Sequence, residues 1–275
     1  MRSTIPSPIS LNHCLIVLDS ATFKAIKLDP FLRREFAPTE QRTTTRTDVS
    51  YTGLYFYGAN TYFEFFDVAN QPLGELGDSA IAFGVDQTGT LEPITAELKS
   101  EFSVGPAITR EFKKKQIPWF YMAVPESFPS GSGLRIWIME YHPRFLKEWN
   151  PQPDSTEPQV SRGQVLQRYT DVLNDPPPEP CLKDVVGLTL AVDEPARDRL
   201  SELSKLFGYG VRSEGAATVL EGPDVELRLI PQTPQARGLQ TITMSINRRP
   251  DKSEFRFGAR SVLRFEDDGF ASWSF

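Results

Sequence analysis

Only two cysteines and two histidines occur in this chain of 275 residues, and that scarcity narrows what it can be. Cys14 and Cys181 stand far apart, in no CxxC pair and no zinc-type spacing, so neither a disulfide framework nor a structural zinc site follows. Cys14 lies inside an apolar run and reads as a buried core thiol, not a nucleophile. Long apolar stretches are also lacking: nothing approaches the ~20 residues that span a bilayer. The opening MRSTIPSPIS has no apolar signal core, so the cytoplasm is the expected location. A positive balance is missing too. Lys and Arg number 30 against 36 Asp and Glu, a net charge of −6, without the basic face that a nucleic-acid partner requires. The one basic run, Lys113-Lys114-Lys115, is short and reads as a solvated helix or strand end. Neither nucleic acid nor membrane is an expected partner.

What is present is an ordinary globular composition, 39% hydrophobic and 24% charged, in a chain long enough for one large domain or two to three smaller ones. LNHCLIVL (residues 11–18) reads as a buried strand. Asp19-Ser20 offers a helix cap, and Phe23, Ile26, Phe31 and Leu32 fall at helical spacing, with Pro30 expected to break or kink the helix. Three strands follow: the β-branched stretch 39–47, the aromatic YTGLYFYG, and TYFEFFDV after a tight connection at Ala59-Asn60.

The order then recurs. SAIAFGV is a strand, LEPITAELKSEF a helix, IPWFYMAVP a strand, PSGSG a turn and LRIWIMEYHP a long closing strand. Two copies of one unit about 70 residues apart are a repeat signal. Residues 147–182 are proline-rich at both ends, NPQPDSTEP and DPPPEP, around one helix-like segment, SRGQVLQRYTDVLN, and read as a connector. VVGLTLAV then opens a third copy, with Asp193-Glu194-Pro195 starting a helix that Gly208 ends, and further short strands to the C-terminus. The expected class is α+β.

LNHCLIVLD, a helix, strands and TYFEFF together resemble a module of the vicinal oxygen chelate superfamily, which includes glyoxalase I, extradiol dioxygenases and bleomycin-binding proteins. The resemblance implies repeated βαβββ modules (10–68 and 79–146, within a unit 1–146) that pair into a half-open curved β-barrel. Residues 183–275 would be a degenerate third module with extra strands. It also implies a divalent metal, Fe, Mn, Ni or Zn, held by residues of the first and last strands of each module.

Carried over, the metal positions are His13, Glu64 and Glu140. The place opposite His13 in the second module falls on Ala80, and His142, two residues beyond Glu140, is expected on the same face by strand alternation. Imidazoles and carboxylates together suit a metal that leaves positions open for substrate oxygens, with Glu140 and His142 as candidate catalytic groups. The implied function is a metal-dependent lyase, isomerase or dioxygenase acting on a small oxygen-rich molecule. A metal-free protein of the same fold that sequesters a small molecule is the alternative.

Each residue also has a plainer reading. His13 can be a core histidine, and His142 before Pro143 can be exposed where the strand ends. Glu64 between Phe63 and Phe65 demands more, because a buried carboxylate needs a cavity, a cation or a hydrogen-bonding partner. In the third copy Gly187 stands at the His13 position and Arg228 near the Glu64 position, so that copy lacks the ligand types.

Overall fold

The computed structural model describes residues 9–70, 74–98, 101–149 and 161–275. Most of the proline-rich N-terminal half of the expected connector (150–160) lies outside the described residues, as do 1–8, 71–73 and residues 99–100 within the LEPITAELKSEF segment. The fold is mixed α+β, built mainly of strands in two sheets. Among the described residues no helix is long and apolar enough to cross a membrane.

The chain begins with β1 (Ser10–Leu18), α1 (Ser20–Leu28), β2 (Thr39–Thr45), β3 (Ser50–Tyr57) and β4 (Tyr62–Asp67). Asp19 caps α1 by accepting from the backbone N–H groups of Ala21 and Thr22. Pro30 ends it: after Asp29 the chain continues as a single π-type turn, Leu32–Phe36, instead of a longer helix. Next come β5 (Ser79–Gly84), α2 (Leu91–Glu97), β6 (Phe102–Val104), β7 (Ile108–Phe112), β8 (Lys115–Pro125) and β9 (Leu134–Tyr141). The basic run is the β7–β8 hairpin turn, where Lys113 and Lys114 take positive φ angles of 50° and 64°. Two short helices, α3 (Pro143–Glu148) and α4 (Arg162–Thr170), precede the second sheet.

In the first sheet the strand order is β2-β3-β4-β1-β5-β9-β8-β6, with β7 on β8. β1 is its centre, parallel to β4 and antiparallel to β5. A parallel neighbour requires a crossover, which α1 and the β2–β3 hairpin provide. β7 returns towards β2, but among the described residues no ladder joins them and the sheet is not a closed barrel.

The second sheet comprises β10 (Leu182–Val192), β11 (Gly210–Glu214), β12 (Ala217–Glu221), β13 (Glu226–Pro231), β14 (Gly238–Ile246), β15 (Glu254–Phe257), β16 (Ser261–Phe265) and β17 (Phe270–Ser274), with α5 (Glu194–Leu206) after β10. Its order, β11-β12-β13-β10-β14-β17-β16-β15, again puts a strand parallel to one neighbour (β13) and antiparallel to the other (β14) at the centre.

Strand alternation divides the first sheet cleanly. Cys14, Ile16, Phe56, Phe63, Phe65, Ile81 and Phe83 point into a core shared with the second sheet, where Trp273 meets Phe63 and Phe65 edge to face. The residues between them, His13, Leu15, Tyr55, Tyr57, Tyr62, Glu64 and Ala82, take the opposite face. Polar staples reinforce the shared core. The Arg162 guanidinium bonds Asp86 (2.9 Å) from the first sheet's side, Asp224 (2.8 Å) from the second, and the Leu11 carbonyl oxygen. Asp184 accepts from the backbone N–H groups of Asn60 and Thr61, each at 2.8 Å.

Candidate functional site

The face of the first sheet turned away from the shared core forms the wall of a cavity of about 770 Å³. His13 from β1, Glu64 and Tyr62 from β4, Tyr51 from β3, and Trp119 and Trp137 from β8 and β9 line it. Arg46, Arg135 and Arg237 also contribute, the last from the loop before β14. The far end of the same face is filled by α3 and α4, whose Phe145, Trp149 and Tyr169 stack together beside Tyr57 and Trp119.

His13 and Glu64 sit on neighbouring parallel strands, in register with Tyr62 and Leu15 respectively. Their side chains approach to 3.7 Å, from His13 Nε2 to Glu64 Oε1. Both are buried, with 6% and 7% of their surfaces exposed. Burial pushes the His13 imidazole down to about 3 and the Glu64 carboxyl up to about 7, while Arg42 and the Tyr62 hydroxyl draw the latter partly back. An uncharged imidazole beside a carboxyl that ionises near neutrality is not a fixed ion pair. The His13 ring stacks on Tyr62 (centroids 4.5 Å apart) and meets Trp137 edge to face at 5.6 Å.

Glu140 does not join them. Its carboxylate accepts from the backbone N–H groups of Gly89 (2.7 Å), Thr90 (3.0 Å) and Leu91 (2.8 Å), the exposed donors at the start of α2. The physical reason is the pleat of β9. Trp137 and Met139 line the cavity, so Ile138 and Glu140 alternate to the other side. The registers give the same answer. Tyr62 pairs with His13 and Arg135 with Ala80, so two residues further along, Trp137 occupies the place that Glu64 holds in the first half. Glu140 is three residues beyond Trp137, an odd step that reverses the face.

His142 follows Glu140 out of the cavity, as period-two geometry requires. It caps α3, with Nδ1 accepting from the Arg144 backbone N–H at 3.0 Å, and its ring lies 5.1 Å from that of Tyr121. Partial burial and the Arg144 charge hold its imidazole below the ordinary range.

The expected set of three metal positions is therefore not assembled. His13 and Glu64 supply two donors, an indole stands where a third would be, and among the described residues no three His, Cys, Asp or Glu side chains cluster as a metal group. The residues present do not fit the protein-held metal that the sequence resemblance implies. In the second sheet the matching register pairs Thr189 with Arg228, and Arg228 is bound in an exposed ion pair with Glu214. Tyr51, Arg46 and Arg237 were not legible as site residues. Tyr51 could have been found from its parity with Tyr55 and Tyr57. Arg237 enters from more than a hundred residues away, which no local pattern reports.

A family model described as a family of unknown function, DUF5829, matches residues 11–275. No functionally curated protein matches the sequence. Among solved structures, a hypothetical protein from Staphylococcus aureus is similar in fold, with a TM-score of 0.52, 11% identity, and coverage of 84% of this chain and 88% of that one. Homoprotocatechuate 2,3-dioxygenase from Arthrobacter globiformis gives a TM-score of 0.47 at 11% identity, covering 98% of this chain and 80% of that one. An extradiol ring-cleaving dioxygenase from B. fuscum gives 0.43 at 11%, covering 100% and 74%.

Proposed function

We propose that this chain, which belongs to the DUF5829 family of unknown function, is a vicinal-oxygen-chelate-type protein that binds a small ring-bearing molecule without a protein-held metal. One observation carries the reading: Trp137 stands where the second half of the sheet would have to supply a ligand, and the nearest carboxylate, Glu140, is committed to the start of α2. What remains is a cavity walled by aromatic side chains with one carboxyl and one neutral imidazole at its floor. Its volume suits an ordinary small organic ligand, and such a mixture of apolar walls and few polar groups is the usual make-up of a binding site.

Trp119 and Trp137 lie in the wall, so their fluorescence reports occupancy. Protein treated with a chelator should bind an aromatic probe such as 2-naphthol as tightly as protein incubated with Mn(II), Fe(II) or Zn(II). Affinity that exists only in the presence of one of these metals would overturn the reading.

A further inference from the structure

A carboxylate that is 7% exposed is costly to bury without a counter-charge. Among the described residues Glu64 has no such partner at ion-pair range. Its one neighbour at ion-pair range among the described residues is His13, at 3.7 Å, a buried imidazole whose other nitrogen is engaged with Asn12 Oδ1 at 2.8 Å. Arg42 acts on Glu64 only at longer range. It is bound to Glu40 at 2.6 Å and lies over the Tyr55 ring at 4.1 Å.

Around the carboxyl the cavity wall is aromatic. Tyr51, Tyr62, Phe66 and Trp137 all line it. Ring faces attract positive charge through their quadrupole, and a box of rings around one carboxylate is the arrangement that holds ammonium groups. The cavity's arginines do not reverse this. Arg46 is tied to Asp48 by two hydrogen bonds of 2.9 and 2.8 Å, Arg237 pairs with Asp78 at 2.9 Å, and Arg135 is also engaged. Their pair partners offset the charge of Arg46 and Arg237, whereas the Glu64 carboxyl is buried with no cation at ion-pair range among the described residues.

We propose that the ligand is an organic cation, an ammonium group on a largely apolar body, whose positive centre sits among Tyr51, Tyr62 and Trp137 against Glu64. This rests on the reading of the cavity as a binding site and adds the charge class of its occupant. The cation supplies the counter-charge that no described neighbour places beside Glu64, and its apolar body covers the walls towards Phe120 and Met122.

The test uses three probes of similar size: benzyltrimethylammonium, benzyl alcohol and phenylacetate, titrated at pH 8 by calorimetry and tryptophan fluorescence. The cation should bind wild type about tenfold more tightly than either of the others. Glu64→Gln should weaken the cation about tenfold while leaving benzyl alcohol within about threefold. Tyr51→Leu, at a half-buried position where folding is less at risk, should likewise weaken the cation more than the alcohol. If benzyl alcohol or phenylacetate binds as well as the cation, or if both variants keep wild-type cation affinity, the charge class is wrong while the cavity remains a binding site. If none of the three binds wild type, the cavity reading itself fails and the cation proposal falls with it.

Discussion

His13 Nδ1 lies 2.8 Å from the Oδ1 atom of Asn12, an acceptor, so in the neutral ring that nitrogen carries the proton. Nε2 is left with its lone pair, turned to Glu64 Oε1 at 3.7 Å. A lone pair facing an ionised carboxylate is repulsive, and one facing a protonated carboxyl is not. The pair is thus arranged to hold a single proton on Glu64, consistent with the rise of its carboxyl to about 7.

That arrangement has a pH signature. Below the ordinary value of 4.5 Glu64 is protonated in both the folded and unfolded chain and contributes no pH dependence. As pH rises from 4.5 to about 7 the unfolded chain loses a proton that the folded chain keeps, so stability falls, by at most about 3 kcal/mol. Glu64→Gln should abolish this loss and be more stable than wild type, relative to pH 4.5, when both are unfolded in urea at pH 8. An unchanged difference between the two pH values would refute the buried, uncompensated carboxyl.

His13 acts in the opposite direction. Above 6.5 the ring is neutral in both states, but between 6.5 and about 3 the unfolded chain takes up a proton that the folded ring refuses. Stability is therefore lost on acidification, and His13→Gln should flatten the acid limb of the stability curve. Between 4.5 and 6.5 the two groups oppose each other in wild type, so each slope is clear only in the single variants.

Trp137 is the position at which the second half of the sheet would complete a metal group. Trp137→His would add a second imidazole beside His13 and Glu64, the two-nitrogen, one-oxygen set that suits Zn(II) and Fe(II). Zinc should raise the melting temperature of this variant by roughly 3 °C or more and leave wild type unchanged. A variant that folds but shows no response to zinc, manganese or ferrous iron would show that the register equivalence does not extend to side-chain geometry.

Glu140 is expected to matter for folding and not for ligand binding. Glu140→Ala would leave the backbone N–H groups of Gly89, Thr90 and Leu91 without their acceptor at a partly buried helix start, a loss of about 2 kcal/mol by urea unfolding. Probe affinity in the cavity should stay at the wild-type value. A folded Glu140→Ala protein of full stability with impaired binding would reverse this assignment.

Arg162 is buried between two carboxylates, and Arg162→Met would leave Asp86 and Asp224 facing each other without the cation between them. Destabilisation of about 3 kcal/mol is expected. Restoring stability in Arg162→Met combined with Asp224→Asn would confirm that the residual charge, and not lost packing, is the cause.

The sequence alone determined that β1 is a buried strand ended by an Asp19 cap, that Pro30 stops the helix, and that Glu64 in an all-aromatic strand must face something other than core. Those are local matters: alternation, cap chemistry and the cost of burying a carboxylate act within a few residues. The resemblance of LNHCLIVLD and TYFEFF to a vicinal-oxygen-chelate module, and not the alternation of β1 itself, pointed to His13 and Glu64 sharing one wall, which both line. The position of Glu140 could not be settled in the same way. IWIMEYH is apolar on both faces, since β9 packs on the shared core with one side and on the cavity with the other, so its alternation does not say which side is which. Only the pairing of β9 with β5, and the arrival of α2 with three unsatisfied N–H groups beside Glu140, decided that Trp137 faces His13 while the carboxylate faces away. Contacts between residues fifty and more positions apart are set by the packing of whole elements, and no short stretch of sequence carries them.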